Sequence, residues 1–192
     1  AGGAVKCWSM ESDEPIATLD GHSQRVPRVA FHPTGRLLGT TCYDNSWRLW
    51  DMTTQQEVLH QEGHSRPVYD IAFHPDGSLV ATGAEDALGR IWDLRSGKCI
   101  MTLQGHVQKV LGVDFSANGY HVATGSEDHT MRLWDLRQRK SVYTMPSHKG
   151  LISHIKYQKD GDLLVSASFD GTAKIWAMPA CTQLKELKGH EG

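Results

Sequence analysis

Four kinds of side chain able to do chemistry recur together: His22, Thr40, Asp44 and Trp50; His64, Thr82, Asp86 and Trp92; His106, Thr124, Asp128 and Trp134; His148, Ser166, Asp170 and Trp176. A hydroxyl, an imidazole and a carboxylate are the parts of an activated nucleophile. The carboxylate orients the ring, and the ring takes the hydroxyl proton. A hydrolase needs one such set, whereas this chain repeats it with constant offsets. Each set also carries an indole, whose N–H must find an acceptor when buried. Repetition therefore favours a polar strut built into every copy of one unit over catalysis.

The element that positions these residues is a repeat. Trp8, Trp50, Trp92, Trp134 and Trp176 stand 42 residues apart, as do His22, His64, His106, His148 and His190. Asp44, Asp86, Asp128 and Asp170 keep the same interval, and so do Gly35, Gly77, Gly119 and Gly161. Self-similarity at such a period marks a repeat architecture. Each unit holds a small, β-branched run (LLGTTC, LVATGA, HVATGS, LLVSAS) and a run ending in Trp (WRLW, GRIW, MRLW, AKIW). A third run starts at Val29, Ile71, Val113 and Ile155, with Phe31, Phe73, Phe115 and Tyr157 two residues on. A weaker fourth includes EVLHQ, CIMTL, SVYTM and QLKEL. The turns PTGR, PDGS, ANGY and KDGD separate runs, and their glycines suit a left-handed backbone. No segment sustains a 3.6-residue apolar period. Four strands per unit, repeated, predict an all-β fold: a β-propeller of four-stranded antiparallel blades.

Composition narrows the function. Of 192 residues, 20 are Lys or Arg and 22 are Asp or Glu, for a formal charge of −2, and 39% are apolar. That describes a core-forming chain and argues against tight, sequence-blind phosphate binding. No apolar run approaches the roughly 20 residues of a membrane helix, so no membrane partner is expected. Cys7, Cys42, Cys99 and Cys181 form no CxxC pair and read as free thiols of a reducing compartment, cytosol or nucleus. Neither zinc-type His/Cys spacing nor a phosphate-binding GxxxxGK[ST] loop occurs, so no metal and no cofactor are assigned.

Gly21-His22, Gly63-His64, Gly105-His106 and Gly189-His190 are GH dipeptides, and Trp50-Asp51, Trp92-Asp93 and Trp134-Asp135 are WD dipeptides. By these the chain resembles the WD-repeat family along its length. Ser147 before His148, Ala177 after Trp176 and Ser9 after Trp8 depart from the pattern. The resemblance implies that each sequence repeat gives the outer strand of one blade and three inner strands of the next. It divides the chain into two outer strands of a partial blade (1–20), repeats at 21–62, 63–104, 105–146 and 147–188, and the start of another (189–192). Seven blades are usual and need roughly 300 residues, so an incomplete piece of a seven-bladed ring is expected. The resemblance also implies a hydrogen-bond chain from Asp to His, to Ser/Thr, to Trp.

Two further groups remain. Arg48, Arg90, Arg132 and Lys174 stand two residues before each Trp; their stems are expected to cover the blade while their heads reach water. Arg25, Arg66, Lys109 and Lys149 follow the GH positions, and Tyr43, Glu85, Glu127 and Phe169 precede the repeated Asp. These eight vary between units on loops of a constant scaffold, and such loops commonly carry binding. They are the candidate partner-binding residues.

Longer stretches carry a narrower likeness. GRLLGTTCYDNSWRLWD, LHQEGHS, VYDIAFHPDGS, NGYHVATGS and WDLRQRK resemble WD-repeat proteins of the spliceosomal U4/U6 small nuclear ribonucleoprotein. That likeness implies a nuclear, non-enzymatic scaffold of the U4/U6 and U4/U6.U5 particles in pre-mRNA splicing. Its partners would be a pre-mRNA-processing protein, a cyclophilin through a separate N-terminal region, and nearby U4/U6 RNA. WDLR, at Trp92–Arg95 and Trp134–Arg137, instead resembles substrate receptors of cullin-type ubiquitin ligases.

Overall fold

The computed structural model describes residues 3–11 and 13–189; His190, expected to open a further repeat, lies outside them. Strands β1 (Gly3–Trp8) and β2 (Pro15–His22) form a two-stranded antiparallel sheet. Four four-stranded sheets follow. The first holds β3 (Val29–Phe31), β4 (Leu37–Thr41), β5 (Trp47–Asp51) and β6 (Gln56–Gln61). The second holds β7 (Val68–Phe73), β8 (Leu79–Ala84), β9 (Leu88–Asp93) and β10 (Lys98–Gln104). In the third are β11 (Val110–Phe115), β12 (His121–Ser126), β13 (Thr130–Asp135) and β14 (Lys140–Pro146). The fourth is β15 (Ile152–Tyr157), β16 (Leu163–Ser168), β17 (Thr172–Ala177) and β18 (Thr182–Lys188). Strand order follows chain order in each sheet, so every pair is a hairpin. This is an all-β, partial propeller of antiparallel blades.

The inner hairpin turns of the first three blades use Gly35 (φ 74°), Gly77 (φ 79°) and Gly119 (φ 74°), a backbone that residues with a Cβ resist. Gly161, expected to do the same, has no positive φ. Gln158 stands there in place of His32, His74 and Ser116, whose side chains bond Thr34, Asp76 and Asn118 within the other turns.

Blades are joined by apolar layers between neighbouring sheets. Trp47 and Leu49 of the first blade meet Ile71, Val80 and Trp92 of the second. Ala81, Ile91 and Leu103 of the second meet Val113, Val122 and Trp134 of the third. Met131 and Leu133 of the third meet Ile152, Leu164 and Trp176 of the fourth. Trp92, Trp134 and Trp176 thus pack back onto the preceding blade, and Trp50 does so on Val5 and Leu19 of the two-stranded sheet, whereas Trp8 is exposed. Where that neighbour is short of strands, apolar side chains are uncovered: Phe31 is 62% exposed, whereas its counterpart Phe115 is 4% exposed.

Candidate functional site

The four polar sets come together as side-chain chains across each blade. In the third, His106 Nδ1 donates to Asp128 Oδ2 (2.8 Å), His106 Nε2 meets Thr124 Oγ1 (2.7 Å), and Trp134 Nε1 donates to Thr124 Oγ1 (2.9 Å). The fourth repeats this with Asp170 (3.0 Å), Ser166 (2.7 Å) and Trp176 (2.9 Å) around His148. The second uses Asp86 (3.0 Å), Thr82 (2.8 Å) and Trp92 (2.9 Å) around His64. In the first, His22 Nε2 meets Thr40 Oγ1 at 2.6 Å and Trp50 donates to Thr40 at 2.9 Å, but His22 Nδ1 stands 3.5 Å from Asp44.

The wiring matches an acid–base–nucleophile set, with the carboxylate on Nδ1 and the hydroxyl on Nε2. Its surroundings do not. Thr40, Thr82, Thr124 and Ser166 are all 0% exposed, and each hydroxyl oxygen already accepts an indole N–H. A substrate carbonyl has no approach to them. What the arrangement does is satisfy three buried polar groups at once, which would otherwise cost about 1–3 kcal/mol each.

The aspartates are held by more than the imidazole. Burial alone would raise Asp128, but bonds from Thr130, His106 and the Thr130 backbone hold it at about 2. Asp44 is likewise at about 2: burial opposes, and Ser46 hydroxyl and N–H bonds prevail. Asp86 and Asp170 are also lowered, against burial, by their hydrogen bonds. Burial lowers His22, His106 and His148 despite the adjacent carboxylates, which favours the neutral ring. The hydroxyls of Ser46, Thr130 and Thr172 are members of the network that sequence reading missed. The signal was the Asp-x-Ser/Thr spacing, which the second blade breaks with Leu88.

The basic column differs from expectation. Its heads are drawn onto the blade rather than into water. Arg48 Nη1 donates to Glu57 Oε2 (2.6 Å) and Lys174 Nζ to the Ser147 carbonyl (2.7 Å). A Cβ on Gly21 would stand 2.8 Å from Arg48 Nη1, and one on Gly105 2.5 Å from Arg132 Nη1. Gly21 and Gly105 are therefore seats of the arginine head and the Trp edge, while Gly63 seats the Trp92 edge.

His32 and His74 form a second set of interblade ties. His32 Nε2 donates to Gly77 O (3.0 Å), and His74 Nε2 to Gly119 O (3.1 Å), each reaching the turn of the next blade. On the inner strands, Asp70 Oδ2 accepts the Val113 N–H (2.8 Å) and Asp114 Oδ2 the Tyr157 N–H (2.7 Å). Asp70 also pairs with Arg28 (3.0 Å), whose Nη2 stands 3.3 Å from His154 Nδ1 of the fourth blade. The contacts of Asp70, Asp114, Arg28 and His154 had no repeat to reveal them.

Five of the eight candidate partner-binding residues gather at one mouth of the fan. Arg25, Tyr43, Lys109, Glu127 and Phe169 line a cavity of about 340 Å³ together with Tyr69. Arg25 lies over the Tyr43 ring (5.5 Å), which meets Tyr69 edge-on (5.4 Å). Burial, then Tyr43, raise the Tyr69 hydroxyl. Phe169 is 78% exposed. Arg66 and Glu85 line an adjoining cleft that shares Lys109 and Glu127, and Lys109 pairs with Glu85 at 3.2 Å. Lys149 stands apart, in a cleft with Lys174 and Glu186. Tyr69 was missed because it sits on an inner strand, where alternation alone does not separate channel from core.

Comparison with known proteins finds the WD domain, G-beta repeat, over residues 13–51, 55–93, 97–135 and 139–177. Each match spans the outer strand of one sheet and three strands of the next. No curated protein matches. Among solved structures, one described as "Structure of U3-55K" is similar, with TM-score 0.85, 24% identity and 91% of this chain covered. The chain spans 55% of that structure's chain. At that identity the likeness speaks for the fold alone.

Proposed function

Because the chain belongs to the WD-repeat family, we propose that it is a non-catalytic interaction scaffold of the spliceosomal U4/U6 and U4/U6.U5 particles, acting in the nucleus in pre-mRNA splicing. The observation that carries the scaffold reading is the contrast between struts and rim. The hydroxyls that could react are sealed in the blades, while blade-specific Arg25, Tyr43, Lys109 and Phe169 ring one open cavity. Arg and exposed aromatic side chains are the types that dominate protein interfaces. The assignment to the U4/U6 particle is supported by the sequence stretches quoted above. On this reading the mouth docks a pre-mRNA-processing protein beside the U4/U6 RNA, and a cyclophilin binds a separate N-terminal region. The ubiquitin-ligase alternative has less support: Arg137 of the second WDLR is engaged by Asp135 (2.9 Å) and lies over Tyr120 (4.4 Å).

The test is affinity capture of the full-length protein from nuclear extract at gentle salt. U4 and U6 RNA should be recovered together with the protein partner, and Phe169→Ala should lower partner recovery without shifting the melting temperature. Absence of both RNAs contradicts the particle assignment, and an unaffected Phe169→Ala capture contradicts the mouth as the docking face.

A further inference from the structure

The first blade breaks the pattern of the other three at one point. In those, the aspartate Oδ2 accepts two N–H groups: the imidazole, and the backbone N–H after the histidine, from Ser65 (3.1 Å), Val107 (3.1 Å) or Lys149 (2.9 Å). Asp44 Oδ2 instead has Ser23 Oγ and His22 Nδ1 each at 3.5 Å, and the backbone N–H after the histidine does not bond it. His22 Nδ1 has no hydrogen-bond partner, although the His22 side chain is 0% exposed. Beside this unpartnered imidazole nitrogen stands Cys42, 0% exposed, where the other blades carry Ala84, Ser126 and Ser168.

The three ligand-type atoms, His22 Nδ1, Cys42 Sγ and an Asp44 carboxylate oxygen, lie within 4.8 Å of one another. Among the described residues this is the one His/Cys/Asp/Glu group of that kind. The separation of the His22–Asp44 pair is longer than a charged hydrogen bond and close to that of two ligands sharing an ion. An N–H···O⁻ bond to a carboxylate runs at about 2.7–2.9 Å. Two ligands about 2.0–2.1 Å from one tetrahedral Zn²⁺ stand roughly 3.3 Å apart. His22 Nδ1 and Asp44 Oδ2, at 3.5 Å, fit the second.

We infer that His22, Cys42 and Asp44 form a binding site for a single divalent zinc-type ion within the first blade. Thiolate, imidazole and carboxylate are the three donor types zinc takes, and the carboxylate disfavours a purely soft cuprous ion. A water would complete four ligands. Metal on Nδ1 places the ring proton on Nε2, 2.6 Å from Thr40 Oγ1, giving the outer hydrogen bond that orients a ligating histidine. Zinc-type sequence spacing is absent because the blade, not a local loop, brings position 22 to 42 and 44. The inference is independent of the proposed partner.

The test is titration of the purified, metal-stripped protein with Co²⁺, a coloured stand-in for Zn²⁺. One equivalent should produce a thiolate-to-cobalt charge-transfer band that Zn²⁺ bleaches. Cys42→Ala and Cys42→Ser, which install the residues of other blades, should lose the band and weaken Co²⁺ binding at least ten-fold, while Cys99→Ala keeps both. No band in the unmodified protein overturns the site, as does a band that survives in whichever Cys42 variant folds.

Discussion

Lys174 Nζ donates to the carbonyl oxygen of Ser147 at 2.7 Å. This pair accounts for a departure from the GH pattern. In the first and third blades the corresponding residues are Gly21 with Arg48 and Gly105 with Arg132, and the guanidinium occupies the space a Cβ would need. In the fourth blade the narrower ammonium leaves room for serine. The substitution at position 147 is matched by one at 174.

Gly105→Ser should therefore destabilise the protein by about 1 kcal/mol, since a Cβ there stands 2.5 Å from Arg132 Nη1 and the guanidinium must shift off the blade. Adding Arg132→Lys should recover about half or more of that loss. A double-mutant cycle by urea unfolding measures the coupling; additivity within error would show that the two side chains do not compete for that space.

Acid should unfold the protein in two steps of the same sign. The folded-state pKa of His22, His106 and His148 is lowered, so protons bind the unfolded chain more tightly and stability falls as pH drops below about 6.5. Asp44 and Asp128 are depressed to about 2, so their contribution is intact above the ordinary carboxylate value near 3.8 and is lost as pH falls toward 2. Asp128→Ala should remove the lower step for its blade and lower the melting temperature at neutral pH. Melting curves across pH 2–8 check this; a midpoint for Asp128→Ala equal to the unmodified protein's at pH 7 contradicts it.

Much of this was legible in the sequence because it repeats. Trp134, His106, Thr124 and Asp128 announce themselves through their copies, and the strand runs through theirs. What repetition cannot show is how a copy departs. The gap between His22 and Asp44, the capture of Lys174 by Ser147 and the Arg28–Asp70–His154 contacts each depend on residues unique to one blade. The arginine column was misjudged for another reason. A long side chain two residues before Trp sits on the blade edge, and its seat is a glycine more than twenty residues earlier, invisible to local patterning.

The interblade tie of His32 gives a paired glycine test. Gly77→Ala adds a Cβ 2.3 Å from His32 Nε2 at φ 79°, whereas Gly35→Ala adds one at φ 74° with nothing within 4 Å. Gly35→Ala should cost only the backbone strain, about 1–2 kcal/mol, and Gly77→Ala distinctly more. Equal losses in urea unfolding would show that His32 does not pack on that turn.

The struts brace the blades and the rim recognises; Thr124→Val tests this most directly. Valine keeps the shape but removes the oxygen that meets His106 Nε2 and accepts the Trp134 N–H, both buried. Equilibrium urea unfolding should place Thr124→Val about 2–4 kcal/mol below the unmodified protein. In the same series, Phe169→Ala at the exposed rim should stay within about 0.5 kcal/mol of it. A Thr124→Val protein as stable as the parent would contradict the account.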